Sequence, residues 1–286
     1  MWSPLGQKAL RPSERREVVG MLQKHGLSHR QACHLAGISR SVDKYVARNP
    51  NEALVARMKE LAFEHIHYGY RRIWALLKRE HWDVSLKRVK RLWKLNHLQV
   101  PQRKPKQRRR GPCVEQYPCQ ALAPNHVWSL DFVADRLGHG GRLRMLTVVD
   151  EFTRECLTIR VERSLKAKDV QETLAQVAKE RGYPCYLRSD NGSEFIEKSL
   201  QKWLKDKGID SIFIEPGSPW QNGKCESFNG KLRTECLNAN WFRTLREAKV
   251  LIEMWRKEYN IFRPHRALKL MTPHEFAQRW ALANTA

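Results

Sequence analysis

The chain has 286 residues, 41% of them hydrophobic, with a formal net charge of +23 and seven cysteines. That length suits two or three domains with a packed core. No run of about 18 apolar residues exists, so nothing spans a bilayer, and the N-terminal M-W-S-P-L-G-Q-K lacks an apolar signal core, which predicts a cytoplasmic protein.

The charge is uneven. Residues 1–110 hold 26 Lys/Arg against 8 Asp/Glu, and the remainder holds 27 against 22. A basic front half ahead of a nearly balanced back half points to a polyanion-binding region joined to a folded domain. The odd cysteine count and wide spacing predict reduced thiols. Cys113 and Cys119 are too far apart for a zinc knuckle.

Residues 1–50 are read as a helix-turn-helix DNA-binding region. Pro12-Ser13-Glu14 starts a helix whose stripe is Val18, Val19 and Leu22. Ser28 caps a short helix carrying Ala32, Cys33 and Leu35. Gly37 turns the chain, and Ser39 caps a second helix presenting Arg40, Ser41, Asp43 and Lys44.

Residues 51–98 are read as a second helical DNA-binding region. Leu54, Met58, Leu61 and Ile66 form one stripe, and 68–96 offers two more helices around Trp82-Asp83. Ser85 caps the last. Its polar face carries Lys87, Arg88, Lys90, Arg91 and Lys94, while Val89, Leu92 and Trp93 turn to the core. Residues 99–119 are a basic, proline-rich linker that includes Arg108, Arg109 and Arg110; such a run buries no core, and its natural partner is a phosphate backbone.

From about 120 to 286 strands and helices alternate. Strands are expected at 126–134, 143–150 and 155–162, a helix at 166–181, and a strand at 184–189. A helix at 196–207 ended by Gly208 follows, then a strand at 211–215. The 216–223 segment reads as a loop, and a helix begins near Asn222. Thr244 and Glu247 make a capping box for a helix at 245–259, and Thr272, Pro273 and Glu275 start a last one. The fold class is α/β: a mixed sheet flanked by helices in the order of a ribonuclease H-like core, preceded by an all-helical region.

Three carboxylates stand out within that core. Asp131 lies inside the apolar run V-W-S-L-D-F-V, Asp190 ends a second apolar run, and Glu226 follows with 35 residues between it and Asp190. An acid in the middle of an apolar strand costs several kcal/mol unless compensated, and a divalent cation is one compensator. Two such ions can hold the attacking and leaving oxygens of a phosphoryl displacement. Asn222, Glu226, Asn229 and Arg233 are spaced 4, 3 and 4 apart and share one polar helix face. Lys231 and Arg233 add phosphate-binding charge beyond the acid. Asp150, before a turn, reads as structural; Asp135 reads as loop, Glu194 as an outer neighbour of Asp190, Cys225 as packing, and His265 as structural or phosphate-side.

S-L-D-F (129–132), S-D-N-G-S-E-F (189–195), S-P-W-Q-N-G-K-C-E-S-F-N-G-K-L-R (218–233), Y-N-x-x-R-P-H-R-A-L (259–268) and M-T-P-x-E-F (271–276) together resemble bacterial insertion-sequence transposases of the second-open-reading-frame type, related to retroviral integrases. The resemblance is close over about 120–280 and looser over the helical front. It implies a D-D-E triad of Asp131, Asp190 and Glu226 binding two Mg²⁺ or Mn²⁺, and a basic residue seven positions after the Glu, matched by Arg233. It implies DNA cleavage and strand transfer at element ends without a covalent protein–DNA intermediate. It further implies double-stranded DNA as partner, a homo-oligomer on DNA, and an upstream-frame product, often fused. Two alternatives stay open: a DNA-binding regulator with a non-catalytic core, and a ribonuclease H-type or junction nuclease.

Overall fold

The computed structural model describes residues 12–44, 51–100, 119–215 and 219–284. Arg108, Arg109 and Arg110 lie outside them. The chain divides into two units, Met1–Ala56 and Arg57–Ala286.

In the first unit, α1 (Pro12–Lys24), α2 (His29–Leu35) and α3 (Arg40–Asp43) enclose Val19, Ala32 and Cys33. Ser28 and Gln31 form a full capping box at the start of α2, and Ser39 Oγ accepts from Val42 N. Gly37, between α2 and α3, takes φ +63°, where a side chain is strained. His29 Nε2 lies 2.8 Å from Asp43 Oδ2 and fixes α2 to α3. α3 is a single turn, and Arg40 and Lys44 at its two ends are exposed.

The second unit opens on α4 (Glu52–Glu64), within which the division falls, then α5 (Tyr70–Arg79) and α6 (Leu86–Leu95). Ser85 caps α6 by accepting from Arg88 N. Arg79 of α5 donates to the Phe262 carbonyl at 2.7 Å and pairs with Glu275 at 2.8 Å, so this helical pair is docked on the C-terminal helices.

The sheet has the order β3-β2-β1-β4-β5. Its strands are β1 (Val127–Arg136), β2 (Arg142–Asp150), β3 (Cys156–Glu162), β4 (Tyr186–Ser189) and β5 (Asp210–Phe213). β1 pairs antiparallel with β2 and parallel with β4, which places it at the centre of a mixed, ribonuclease H-like sheet. Its helices are α7 (Ala167–Arg181), α8 (Ser193–Ile196), α9 (Lys198–Asp206), α10 (Gly223–Glu235), α11 (Leu245–Ile261) and α12 (Pro273–Asn284). The helix expected at 196–207 is two, broken at Glu197. Gly208 ends α9 at φ +71°, as its position suggested. Asp135, read as loop, lies in β1, which runs two residues longer than expected because Asp135 and Arg136 keep their register with Leu143 and Arg142.

Alternation along β1 sorts the core into two layers. Trp128 and Leu130 join Leu146, Leu174, Leu187 and Leu204 under α7 and α9. Val133 joins Met145, Phe228, Leu232, Ile252 and Trp255 under α10 and α11. Asp131 shares the phase of Val133 and so stands on the α10 side. Among the described residues no helix is long and apolar enough to cross a membrane.

Candidate active site

α10 is fastened to the sheet in two ways. Phe228 and Leu232 are fully buried beneath it, which stabilises the docking by about 1.5–3 kcal/mol each. Along the same helix three polar side chains reach the backbone or side chains of β1. Asn222 Nδ2 lies 3.5 Å from the Leu130 carbonyl, Asn229 Nδ2 donates to Asp131 Oδ2 at 2.7 Å, and Arg233 donates to the Ala134 carbonyl at 2.8 Å. Each such bond contributes about 1 kcal/mol net; apolar burial sets the docking strength and the polar contacts set the register. Glu226 lies between the Asn222 and Asn229 anchors on the same stripe, and is exposed.

Asp131 is half-buried. Its Oδ1 accepts from the Phe132 amide at 2.7 Å and its Oδ2 from Asn229. An amide satisfies one lone pair without adding positive charge, so Asp131 stays available to a cation; a lysine there would compete with one. Thr147, directly across β2 from Asp131, has its hydroxyl 3.1 Å from both the Asp131 carbonyl and Asn229 Oδ1.

Asp190 stands one residue past β4. Ser129 and Arg188 are register partners, so Asp131 and Asp190 each follow two residues beyond a matched pair on adjacent parallel strands. Asp190 Oδ1 accepts from Gly192 N at 2.9 Å, and a Cβ on Gly192 would stand 2.9 Å from that same oxygen. A side chain at the third position of this turn would therefore force the Asp190 carboxylate to shift.

The three acids feel one another. Burial pushes the Asp131 carboxyl up to about 6, and the charges of Asp190 and then Glu226 add to the rise. Their carboxylate oxygens do not all close within 4.8 Å of one another, as the ring nitrogen of His29, the sulfur of Cys33 and a carboxylate oxygen of Asp43 do.

Other candidates separate from the site. Lys231, expected beside the acid, donates to Ser227 Oγ at 3.0 Å, and burial, then Arg263, lowers its ammonium to about 8. Glu194 pairs with Arg144 at 2.6 Å, which holds its carboxyl below the usual range. Cys225 is fully buried, and burial drives its thiol well up, so it is packing. Asp150 accepts from the amides of Asn125, Phe152 and Thr153, a structural turn. His265 is buried against Tyr259; burial first, then Arg263 and Lys231, push it down to about 2, so it is neutral and structural. Arg88 and Arg91 lie on α6, where Arg91 is exposed and, with Lys87, Lys90 and Lys94, lines a groove beside Tyr70.

Sequence reasoning missed Thr147, whose importance arises only from register. It also missed Glu151, Arg188 and Lys224. Arg188 carried one signal, a guanidinium inside the apolar strand Y-L-R-S, which has to find a buried partner.

A sheet of this order, with Asp131 on its central strand, Asp190 at the neighbouring strand's end and Glu226 on the covering helix, defines an integrase-type core. Models of the integrase core domain match residues 121–219 and 207–273, and one of an HTH-like domain matches 50–106. The chain is 44% identical over 260 residues to the 31.7 kDa protein of insertion element IS407 of Burkholderia multivorans, covering 90% of this chain and 93% of that protein. It is 27% identical over 237 residues to the transposase of insertion sequence element IS904 of Lactococcus lactis, covering 79% of this chain and 93% of that protein. Among solved structures, the magnesium-bound HTLV-2 integrase catalytic core is 18% identical with a TM-score of 0.45, covering 55% of this chain and 99% of that one. The chain belongs to the insertion-sequence transposases that carry an integrase core.

Proposed function

We propose that Asp131, Asp190 and Glu226 are the catalytic acids of this transposase, and that they hold two Mg²⁺ or Mn²⁺ ions for DNA cleavage and strand transfer. The observation that carries this is the convergence of the three acids from β1, the end of β4 and α10, with Asp131 raised by burial and by the other two. The donor set is all oxygen, which suits a hard divalent ion. Asn222 Oδ1 adds a buried acceptor with no partner among the described residues, on the same stripe as Glu226. Bound there, the ions would polarise a phosphodiester and activate the attacking hydroxyl.

The chain's own residues do the positioning. Asn229 orients Asp131 while leaving its charge in place, and the Gly192 amide orients Asp190. Arg233, exposed beside the acids, is offered to phosphate; Asn222 and Asn229, read from the sequence as DNA contacts, hold the same stripe on β1. Arg40, Lys44, Arg88 and Arg91, with Arg108, Arg109 and Arg110 of the linker, supply sequence-independent attraction to the backbone of the element ends and target. Lys231, half-buried on the same helix, adds a further cation to that set. Synapsis of two ends by a homo-oligomer, in the cytoplasm at the nucleoid, with an upstream-frame product contributing end recognition, completes the reading.

The test is a strand-transfer assay in Mg²⁺ with labelled duplexes carrying the ends of the surrounding element, with and without the upstream-frame product. Joined product from wild type that vanishes in Asp190→Asn and Glu226→Gln, with DNA binding kept, is the expected result. Joining that survives either substitution refutes the assignment, and metal-independent binding with no nicking under any condition favours a regulator.

A further inference from the structure

The side chain of Glu151 is fully buried just past the end of β2, outside the triad and unused by the chemistry above. Its own backbone is fixed by Glu151 N donating to the Val127 carbonyl at 3.0 Å. Its carboxyl group meets three partners from three different elements. Ser129 Oγ of β1 donates to Oε1, Arg188 Nη1 of β4 lies 3.4 Å from the same oxygen, and Lys224 Nζ of α10 lies 2.9 Å from Oε2.

Each partner stands two residues before one of the triad acids. Ser129 precedes Asp131, Arg188 precedes Asp190, and Lys224 precedes Glu226. On a strand, residues two apart share a face about 7 Å apart, so holding Ser129 sets where Asp131 stands, and holding Arg188 sets where the chain leaves β4 towards Asp190. Lys224 lies in the first turn of α10, and tying it down sets where that turn begins. Arg188 also donates to the Gln221 carbonyl at 3.1 Å, just ahead of α10, so the same guanidinium reaches both the strand and the helix entrance.

We infer that Glu151 is a positioning residue: one buried carboxyl group that sets the spacing of the three acid-bearing elements, and through it the affinity of the acids for divalent cations. The inference rests on the triad reading above. A buried acid with two cationic partners is weak evidence for stability, since its desolvation offsets much of the attraction. Its three-element geometry is what assigns the role. Partners that orient ligands from outside a metal site typically carry about 10–100-fold in affinity or activity.

The experiment uses the full chain. Mn²⁺ binding is titrated without DNA by the loss of the free-ion EPR signal, and strand transfer is measured against Mg²⁺ concentration, for wild type, Glu151→Gln, Lys224→Met and Lys224→Arg, with Asp190→Asn in parallel. Glu151→Gln keeps the size and the hydroxyl contact but removes the charge that gathers Arg188 and Lys224. It is expected to raise the Mn²⁺ half-saturation about 10-fold or more, with duplex binding within about twofold of wild type. Lys224→Met is expected to shift it in the same direction by less, and Lys224→Arg to restore it. A merely structural role lowers melting temperature and active fraction but leaves the half-saturation of the folded protein where it was. Folded Glu151→Gln and Lys224→Met proteins with wild-type titrations overturn the inference; should Glu151→Gln fail to fold, Lys224→Met and its Arg rescue decide it. Asp190→Asn that still joins DNA overturns the triad reading instead, so the two failures are distinct.

Discussion

Asn229 Nδ2 donates to Asp131 Oδ2 at 2.7 Å, so the helix that carries Glu226 is joined directly to the first acid of the triad. Asn229 lies three residues past Glu226, on the same side of α10. Any slide of the helix along β1 therefore moves Glu226 and breaks this bond together.

Asn229→Ala is expected to lower strand transfer about 10–100-fold while leaving duplex binding intact. The substitution strips Asp131 of an orienting donor and leaves Thr147 facing an empty place. Asn229→Asp should be worse, because it sets a fourth carboxylate against Asp131. Single-turnover strand transfer alongside gel-shift binding separates the two effects; a full rate in Asn229→Ala removes this bond from the mechanism.

Gly192→Ala should impair catalysis out of proportion to its size. Its Cβ would stand 2.9 Å from Asp190 Oδ1, a distance real Cβ atoms essentially never show, so the carboxylate has to move. Strand transfer is expected to fall at least about 10-fold with little change in melting temperature. Equal activity would show that Asp190 tolerates displacement.

Burial, with the charges of Asp190 and Glu226, raises the Asp131 carboxyl from its ordinary 3.8 to about 6 in the absence of metal. The sign follows directly: the folded state holds this proton more tightly than the unfolded one, so ionising Asp131 destabilises the metal-free fold as pH rises from about 4 to about 6. Two outcomes are expected. Asp131→Asn should melt higher than wild type in EDTA at pH 7.5, by on the order of 1 kcal/mol, while abolishing strand transfer. Mn²⁺ affinity should weaken below pH 6, where a proton competes for Asp131. Calorimetry in EDTA and a Mn²⁺ titration across pH 5–8 test both; a lower melting point in Asp131→Asn contradicts the first.

His265 has the opposite linkage. Burial depresses it from 6.5 to about 2, so below pH 6.5 the unfolded chain binds a proton that the folded chain does not. Its contribution is fully present above 6.5 and is lost as pH falls, at up to about 1.4 kcal/mol per pH unit. His265→Gln should therefore flatten the decline in stability between pH 6 and 4, measured by urea unfolding. An unchanged slope would place the acid sensitivity elsewhere.

Much of the candidate site's layout was legible in the chain. The intervals between Asp131, Asp190 and Glu226, the 4-3-4 stripe of α10 and the Ser28, Ser39, Ser85 and Thr272 caps are local or periodic, and local patterns report which face of one element a residue occupies. Thr244 was nearly right: it accepts from Glu247 N at 3.1 Å, but Glu247 reaches back to Arg243 N rather than to Thr244. Periodicity is silent about what lies across the gap. Arg188 reads as a misplaced surface residue until β4 is paired with β1 and Glu151 is found beneath it. Glu151 shows no partner in the sequence until β1, β4 and α10 bring Ser129, Arg188 and Lys224 to its carboxyl group. Glu194 looks like a neighbour of Asp190 but turns to Arg144, 50 residues away in the chain. In each case the deciding contact joins residues far apart in sequence, and its energy depends on strand register and on how much water the packing removes. Those quantities exist only once the sheet and its covering helices have assembled.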